Sequence, residues 1–284
     1  MNISDETVFF LHGFPQTTAM WNQVIDLLPD AHTCHKLALP CYQPHALQNR
    51  HENYSAKAMA DELAGKVKQM NGGRPATVVG HDIGAYIAYI LAFDHPDLVR
   101  ALVVINGVHP QLYQSALMTD PKQAEASKYV AFLRSQHAEA DLSRNRFKLL
   151  LQTHKAVTEG IKLPGEEAEV LIDLWSQPGV LSAMLDFYRS TNIHLPSLGE
   201  MSEDQVPSST DTCRIAQPHL LIWGENDPYL LASSIRGIET LCDDLTIVKV
   251  SDAGHGIVGS HPKLITSEIS KFLDGLEYKV DQKI

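Results

Sequence analysis

Unbroken apolar runs alternate with amphipathic stretches along the first 110 residues. TVFFL (7–11) and ATVVG (76–80) are apolar on consecutive positions, as strands covered on both faces require. ALVVIN (101–106) reads the same way, and HKLAL (35–39) predicts a shorter strand ended by Pro40. Between them, Trp21–Leu28, Ser55–Met70 and Ala85–Phe93 predict helices. In the second of these, Met59, Leu63 and Val67 recur at the spacing of one helical face. Strands alternating with helices predict a parallel sheet with right-handed crossovers.

From about 111 to 212 the strand signals vanish. Lys122–Ser135, Ser143–His154, Glu166–Ser176 and Gly179–Thr191 predict helices, and the polar stretch SLGEMSEDQVPSSTDT (197–212) predicts a linker. The alternation returns with HLLIW (219–223), a helix near Ala232–Leu241, LTIVKV (245–250) and a closing helix over Lys263–Leu276. The expected architecture is an α/β core over 1–110 and 213–284, with a mostly parallel sheet of about six strands. An all-helical lid, 111–212, is inserted over the sheet's C-terminal edge, where such folds bind ligands. Only six residues precede Thr7, so the sheet is expected to begin at that strand, without an antiparallel hairpin before it.

Composition narrows the function classes. With 284 residues, 44% hydrophobic and 20% charged, the chain has an ordinary globular make-up. Its net charge of −11 argues against nucleic acid or an anionic membrane surface as partner. No segment approaches the ~20 apolar residues of a membrane span. The opening MNISDETVFFLHGF lacks the basic region of a signal peptide. Cys34, Cys41, Cys213 and Cys242 are widely spaced and read as reduced thiols, so a cytoplasmic protein is expected. The 14 histidines show no HExxH spacing, and neither GxGxxG nor a Walker pattern occurs, so no metal, nucleotide or other cofactor is expected. The expected partner is a small-molecule substrate; the composition leaves open whether the chain is a monomer or a homodimer.

Chemistry enters at Gly80-His81-Asp82-Ile83-Gly84. Small residues flanking a central polar one fit a nucleophile elbow, a sharp strand-to-helix turn. Asp227 follows HLLIWGEN and His255 follows LTIVKVSDAG, which gives the chain order nucleophile, acid, histidine. Alone, Asp82 reads equally as a helix cap and His255 as a loop histidine; three residues in register favour a triad. Asp82 would attack, His255 would take a proton from water, and Asp227 would orient the imidazole. After the first strand, His12-Gly13-Phe14-Pro15 suggests a rigid, cis-prone turn that supplies one oxyanion-hole N–H from Phe14, with Ile83 supplying the other. A carboxylate is a poor nucleophile towards esters and amides, because it is expelled again more easily than the reaction proceeds. Towards a saturated carbon with a strained or good leaving group it is competent, which points to epoxides or organohalides.

HGFPQTTAMW, GHDIGAYIAYILAFDHPDLVRALVVING and the His255 segment resemble the α/β-hydrolase group that holds epoxide hydrolases, haloalkane dehalogenases and haloacetate dehalogenases. The resemblance spans essentially the whole chain, lid position included. It implies a tryptophan after the nucleophile in haloalkane dehalogenases, where this chain has Ile83. It implies arginines one and four residues after it in haloacetate dehalogenases, where this chain has Ile83 and Tyr86. Epoxide hydrolases instead use lid tyrosines, or a histidine and a tyrosine, to protonate the opening ring. MLDFYRS (184–190) nominates Tyr188, and EASKYVAFL (125–133) nominates Tyr129, with Tyr113 in reserve. Val180, Met184, Phe187 and Tyr188 share one helical face, as do Ala126, Tyr129, Val130 and Leu133. His12, Pro15, Trp21 and Tyr86 are expected to contact substrate; Trp21 and Trp175 read more readily as packing or pocket wall than as catalytic groups. The chain departs from its relatives at LALPCYQPH (37–45), where Ala38, Cys41 and Gln43 stand in place of Asp and Gly, and at Gly256, often a tryptophan. The expectation is a cofactor-free epoxide hydrolase that works through an Asp82 ester. A dehalogenase is the alternative, and a non-catalytic ligand-binding member of the fold a more distant one.

Overall fold

A computed structural model describes residues 6–43, 54–158, 165–197, 200–201 and 213–281. Most of the expected linker lies outside the described residues. Six strands form one all-parallel sheet: β1 (Glu6–Leu11), β2 (His32–Leu37), β3 (Ala76–His81), β4 (Val99–Ile105), β5 (Ile215–Gly224) and β6 (Cys242–Val250). Their order is β2-β1-β3-β4-β5-β6. The winding reverses between β1 and β3, which opens a crevice at their C-terminal ends. Leu11 pairs with Gly80, so the loop after β1 and the loop after β3 emerge side by side.

The apolar run of β1 is explained by two cores, one on each sheet face. Val8 and Phe10 pack with Trp21 and Val24 of the segment leading into and along α1 (Asn22–Leu27). Ile265, Ile269 and Leu273 of α11 (Pro262–Asp281) complete that face. Phe9 and Leu11 face the other way, onto Met59 and Leu63 of α2 (Ala56–Met70) and Ile87 of α3 (Ile83–Asp94). Each such side chain removed from water contributes about 1.5–3 kcal/mol, so every residue of the strand is needed.

All of α4 (Pro110–Thr119), α5 (Pro121–Ala126), α6 (Lys128–Arg134), α7 (Ala138–Val157), α8 (Gly165–Ser176) and α9 (Val180–Ser190) lie in sequence between the neighbouring strands β4 and β5. A short α10 (Ile257–Ser260) follows β6.

Six element expectations need correction; two of them are β5 and β6, which start at Ile215 and Cys242, four and three residues earlier than expected. β2 starts at His32, three residues earlier than expected, because as an edge strand it pairs only with β1 and is half-exposed, so polar residues are tolerated there. The expected helix Lys122–Ser135 breaks at Ser127 into α5 and α6, and α4 precedes it where no helix was expected. The helix expected from Ser143 starts at Ala138 and is interrupted over 144–147, where Asn145, Arg146 and Phe147 have positive φ. The stretch Ala232–Leu241 is two short 3-10 turns separated by Gly237, whose φ of 87° no continuing helix accommodates.

Candidate active site

β3 ends at His81, and α3 begins at Ile83, so the whole turn falls on Asp82, with φ 55° and ψ −124°. The elbow closes only because its flanks are small. A Cβ on Gly84 would stand 2.5 Å from the His12 carbonyl oxygen and 2.6 Å from that of Leu11. Gly13, on the facing loop, has no room either: its Cβ would meet the Asp82 Cβ at 2.6 Å. That close approach lets the Phe14 N–H donate to Asp82 Oδ1 at 2.8 Å. Phe14 and Pro15 are joined by a cis peptide bond.

Two further strand ends converge on Asp82. His255, from the loop after β6, places Nε2 3.5 Å from Asp82 Oδ2 and Nδ1 2.7 Å from Asp227 Oδ2. Asp227, after β5, accepts on Oδ1 from the N–H groups of Tyr229 (2.8 Å) and Leu230 (3.0 Å). Asn106, at the end of β4 with φ 36°, donates to Asp227 Oδ2 at 2.8 Å and brackets Gly224 with both ends of its amide. His81 Nε2 meets the His255 carbonyl at 2.8 Å, behind the imidazole.

The electrostatics follow from this packing. Burial alone would raise both carboxylates, but His255 and the hydrogen bonds around them hold Asp82 and Asp227 below the usual carboxylate range. Burial opposes a charged imidazole, yet Asp227 and Asp82 together raise His255 well above an ordinary histidine. Burial pushes the phenols of Tyr129 and Tyr188 far up, so both keep their protons at neutral pH.

A cleft of about 590 Å³ opens above Asp82. Phe14, Tyr129, Tyr188, Tyr229 and His255 surround the carboxylate, and Tyr188 lies edge-on to Phe14 at 5.4 Å. Leu142, Leu149, Ala156 and Val157 of α7 line the outer part, with Gln152 and Thr153 the polar exceptions. No lysine, arginine or tryptophan is among the described lining residues.

The structure thus brings together Asp82, Asp227, His255, Phe14, Tyr129 and Tyr188. Ile83 directly follows Asp82 as the first residue of α3. The four residues expected to contact substrate do not line the cleft. The His12 ring is wholly buried in the body, donating from Nδ1 to Gly13 O and accepting the Leu39 N–H on Nε2 at 3.2 Å; burial lowers its pKa to about 4. Pro15 is buried and is not among the cleft-lining residues. Trp21 belongs to the core on the opposite sheet face, against Phe10. Tyr86 lies under the cleft floor, edge-on to Phe187 at 6.1 Å. Tyr113 is also outside, donating to Ser127 Oγ at 2.9 Å, and Trp175 packs on Phe147.

Sequence reasoning missed Asn106 and Tyr229. Asn106 carries a signal, an asparagine ending a buried apolar strand; Tyr229 stands two residues after the acid. Among the described residues no cluster of His, Cys, Asp and Glu is arranged to hold a metal, and no helix is long and apolar enough to cross a membrane.

Comparison with known proteins agrees with the fold. The AB hydrolase superfamily protein YfhM of Bacillus subtilis (strain 168) is 27% identical over 270 residues, covering 94% of this chain and 89% of that protein. Epoxide hydrolase 4 of Homo sapiens is 26% identical over 275 residues, covering 94% of this chain and 72% of that protein. A solved structure from a study of novel epoxide hydrolases in metagenomes from hot environments superposes with a TM-score of 0.82 at 26% identity, covering 95% of this chain and 91% of that one. Residues 6–262 match the family model of the alpha/beta hydrolase fold, and the chain belongs to that family.

Proposed function

We propose that this protein hydrolyses an uncharged, largely apolar epoxide to a vicinal diol through an ester on Asp82. The observation that carries the reading is the pairing of two protonated phenols, Tyr129 and Tyr188, with Asp82 and His255 in one cleft. An opening epoxide releases a strongly basic alkoxide, which a phenol can protonate. A halide needs no proton but does need donors to hold it. Here the position after the nucleophile is aliphatic Ile83, and Trp21, Trp175 and Trp223 are all buried away from the cleft. The epoxide-hydrolase relatives support the same choice.

The steps follow from the contacts. Phe14 holds Asp82 Oδ1, so attack falls to Oδ2; the bond from carbon to Asp82 forms as the carbon–oxygen bond of the ring breaks. A lid tyrosine gives its proton to the leaving alkoxide. The ester is neutral, so His255 loses one of the two charges that held its proton. That proton returns the tyrosinate to its neutral phenol, and the freed imidazole becomes a base. It then takes a proton from water attacking the Asp82 carbonyl carbon, while the Phe14 and Ile83 N–H groups receive the oxyanion. Collapse returns the proton from His255 to the departing diol oxygen. The regenerated Asp82 carboxyl then hands its own proton to His255.

A His255→Gln variant should stall at the ester. Incubated with phenyl glycidyl ether and 1-bromohexane together, it is expected to gain the mass of one whole epoxide. A gain of the haloalkane less HBr would overturn the reading in favour of a dehalogenase, and no gain from either would remove its support.

A further inference from the structure

Gln123 lies in α5, fully buried and outside the cleft, yet every hydrogen-bonding position of its amide is used. Nε2 donates to Ser127 Oγ and to the Tyr229 carbonyl, each at 2.8 Å. Oε1 accepts from the Leu231 N–H and the Ser234 hydroxyl, each at 2.7 Å. An amide has two donors and two acceptor lone pairs, so this one is saturated.

The partners fall into two groups. Ser127 sits at the break between α5 and α6, two residues before Tyr129, and accepts from the hydroxyl of Tyr113. Tyr229, Leu231 and Ser234 belong to the segment that starts at Asp227, the partner of His255. Between the two groups lies the Tyr229 ring, edge-on to Tyr129 at 5.8 Å and to His255 at 5.3 Å. The two chain segments are 106 residues apart at the Gln123–Tyr229 bond, and one side chain joins them.

We infer that Gln123 is a positioning residue that holds the phenol of Tyr129, carried by the lid, in register with the imidazole of His255, carried by the body. The inference rests on the epoxide reading. Asp227 keeps a support outside the segment that Gln123 holds, the Asn106 amide at the end of β4, so His255 stays oriented without Gln123. Tyr129 loses its anchor. Ring opening therefore depends on Gln123, and ester hydrolysis does not.

The test separates the two steps. Ester formation is followed by intact mass in the His255→Gln background, with phenyl glycidyl ether as probe; ester decay is followed after rapid mixing with His255 in place. Gln123→Met, which keeps the volume but not the hydrogen bonds, is expected to slow ester formation roughly 10–100-fold and ester decay by less than about threefold. Gln123→Glu keeps the shape but sets a carboxylate against the Tyr229 carbonyl. Burial raises the pKa of such a group, so lowering the pH protonates it and restores a donor. Its ester formation is expected to recover at acid pH through an ionisation that the His255→Gln parent lacks. Equal losses in both steps would mean general loosening and overturn the assignment, as would unchanged ester formation or a Gln123→Glu profile with no new ionisation. Absence of any epoxide adduct in the His255→Gln parent would overturn the epoxide reading first, and this assignment with it.

Discussion

Tyr188 is 4% exposed and forms part of the cleft wall, and on the epoxide reading its value is a proton held until the alkoxide forms. Tyr188→Phe and Tyr129→Phe are each expected to slow ester formation roughly 10²–10⁴-fold while leaving ester decay unchanged; single-turnover intact mass measures both. A variant that opens epoxides at the parental rate would remove that tyrosine from the mechanism. At this scale the sequence made Asp82, Asp227, His255 and Phe14 legible, because each follows a strand whose end the apolar pattern marks. It did not say which way a side chain points. His12 and Trp21 flank the right loop, yet one turns into the body and the other through to the far side of the sheet. Gln123 and Asn106 were out of reach for another reason. Their partners lie about a hundred residues away, and no local spacing encodes them.

Between elements, α6 and α9 are coupled by arginines, Arg189 reaching the Ser135 carbonyl and Arg134 reaching back to α9. Arg134, the last residue of α6, donates from Nε to the Tyr188 carbonyl at 2.7 Å and from Nη2 to the Thr191 carbonyl at 2.9 Å. It thereby satisfies carbonyls at the C-terminus of α9, where a positive charge is also favoured by the helix dipole. Arg134→Met is expected to cost about 2 kcal/mol in urea unfolding and to slow ester formation, since Tyr188 loses its seat. An unchanged unfolding midpoint with an unchanged rate would show the clamp to be idle. Among the inner elements β1, β3, β4 and α2 fall within one or two positions of the apolar pattern, whereas β5 starts four residues before it, through Gln217 and Pro218. Where burial relaxes, the pattern fades. β2 lies at the sheet edge, the helix breaks at Ser127, whose hydroxyl accepts from Tyr113 and Gln123, and Gly237 turns with positive φ; hydrophobic periodicity sees none of these.

Over the whole molecule, the site exists because the sheet reverses its winding between β1 and β3 and so sets Phe14 against Asp82. The molecule carries a net charge of −11, and the described cleft lining holds no lysine or arginine to offset it. An epoxide bearing a carboxylate would have to leave water without a partner. Compared with a neutral epoxide of similar size, its kcat/KM is expected to be lower by roughly tenfold or more; equal values would show that the charge never enters the apolar part of the cleft. The fold class, the order of chemical groups along it and the nomination of Tyr129 and Tyr188 were readable from the chain, whereas Tyr229 and the apolar lining from α7 came only from three-dimensional packing. On the epoxide reading, the hydrogen bond from Phe14 to one oxygen of Asp82 does more than orient it. It marks the two carboxylate atoms with different fates: one stays moored to the backbone, while the other departs inside the diol and is replaced from solvent. On the epoxide reading the protein is therefore a consumed reagent at a single atom, rebuilt once per turnover, and the hydroxyl it adds was its own before it was water's.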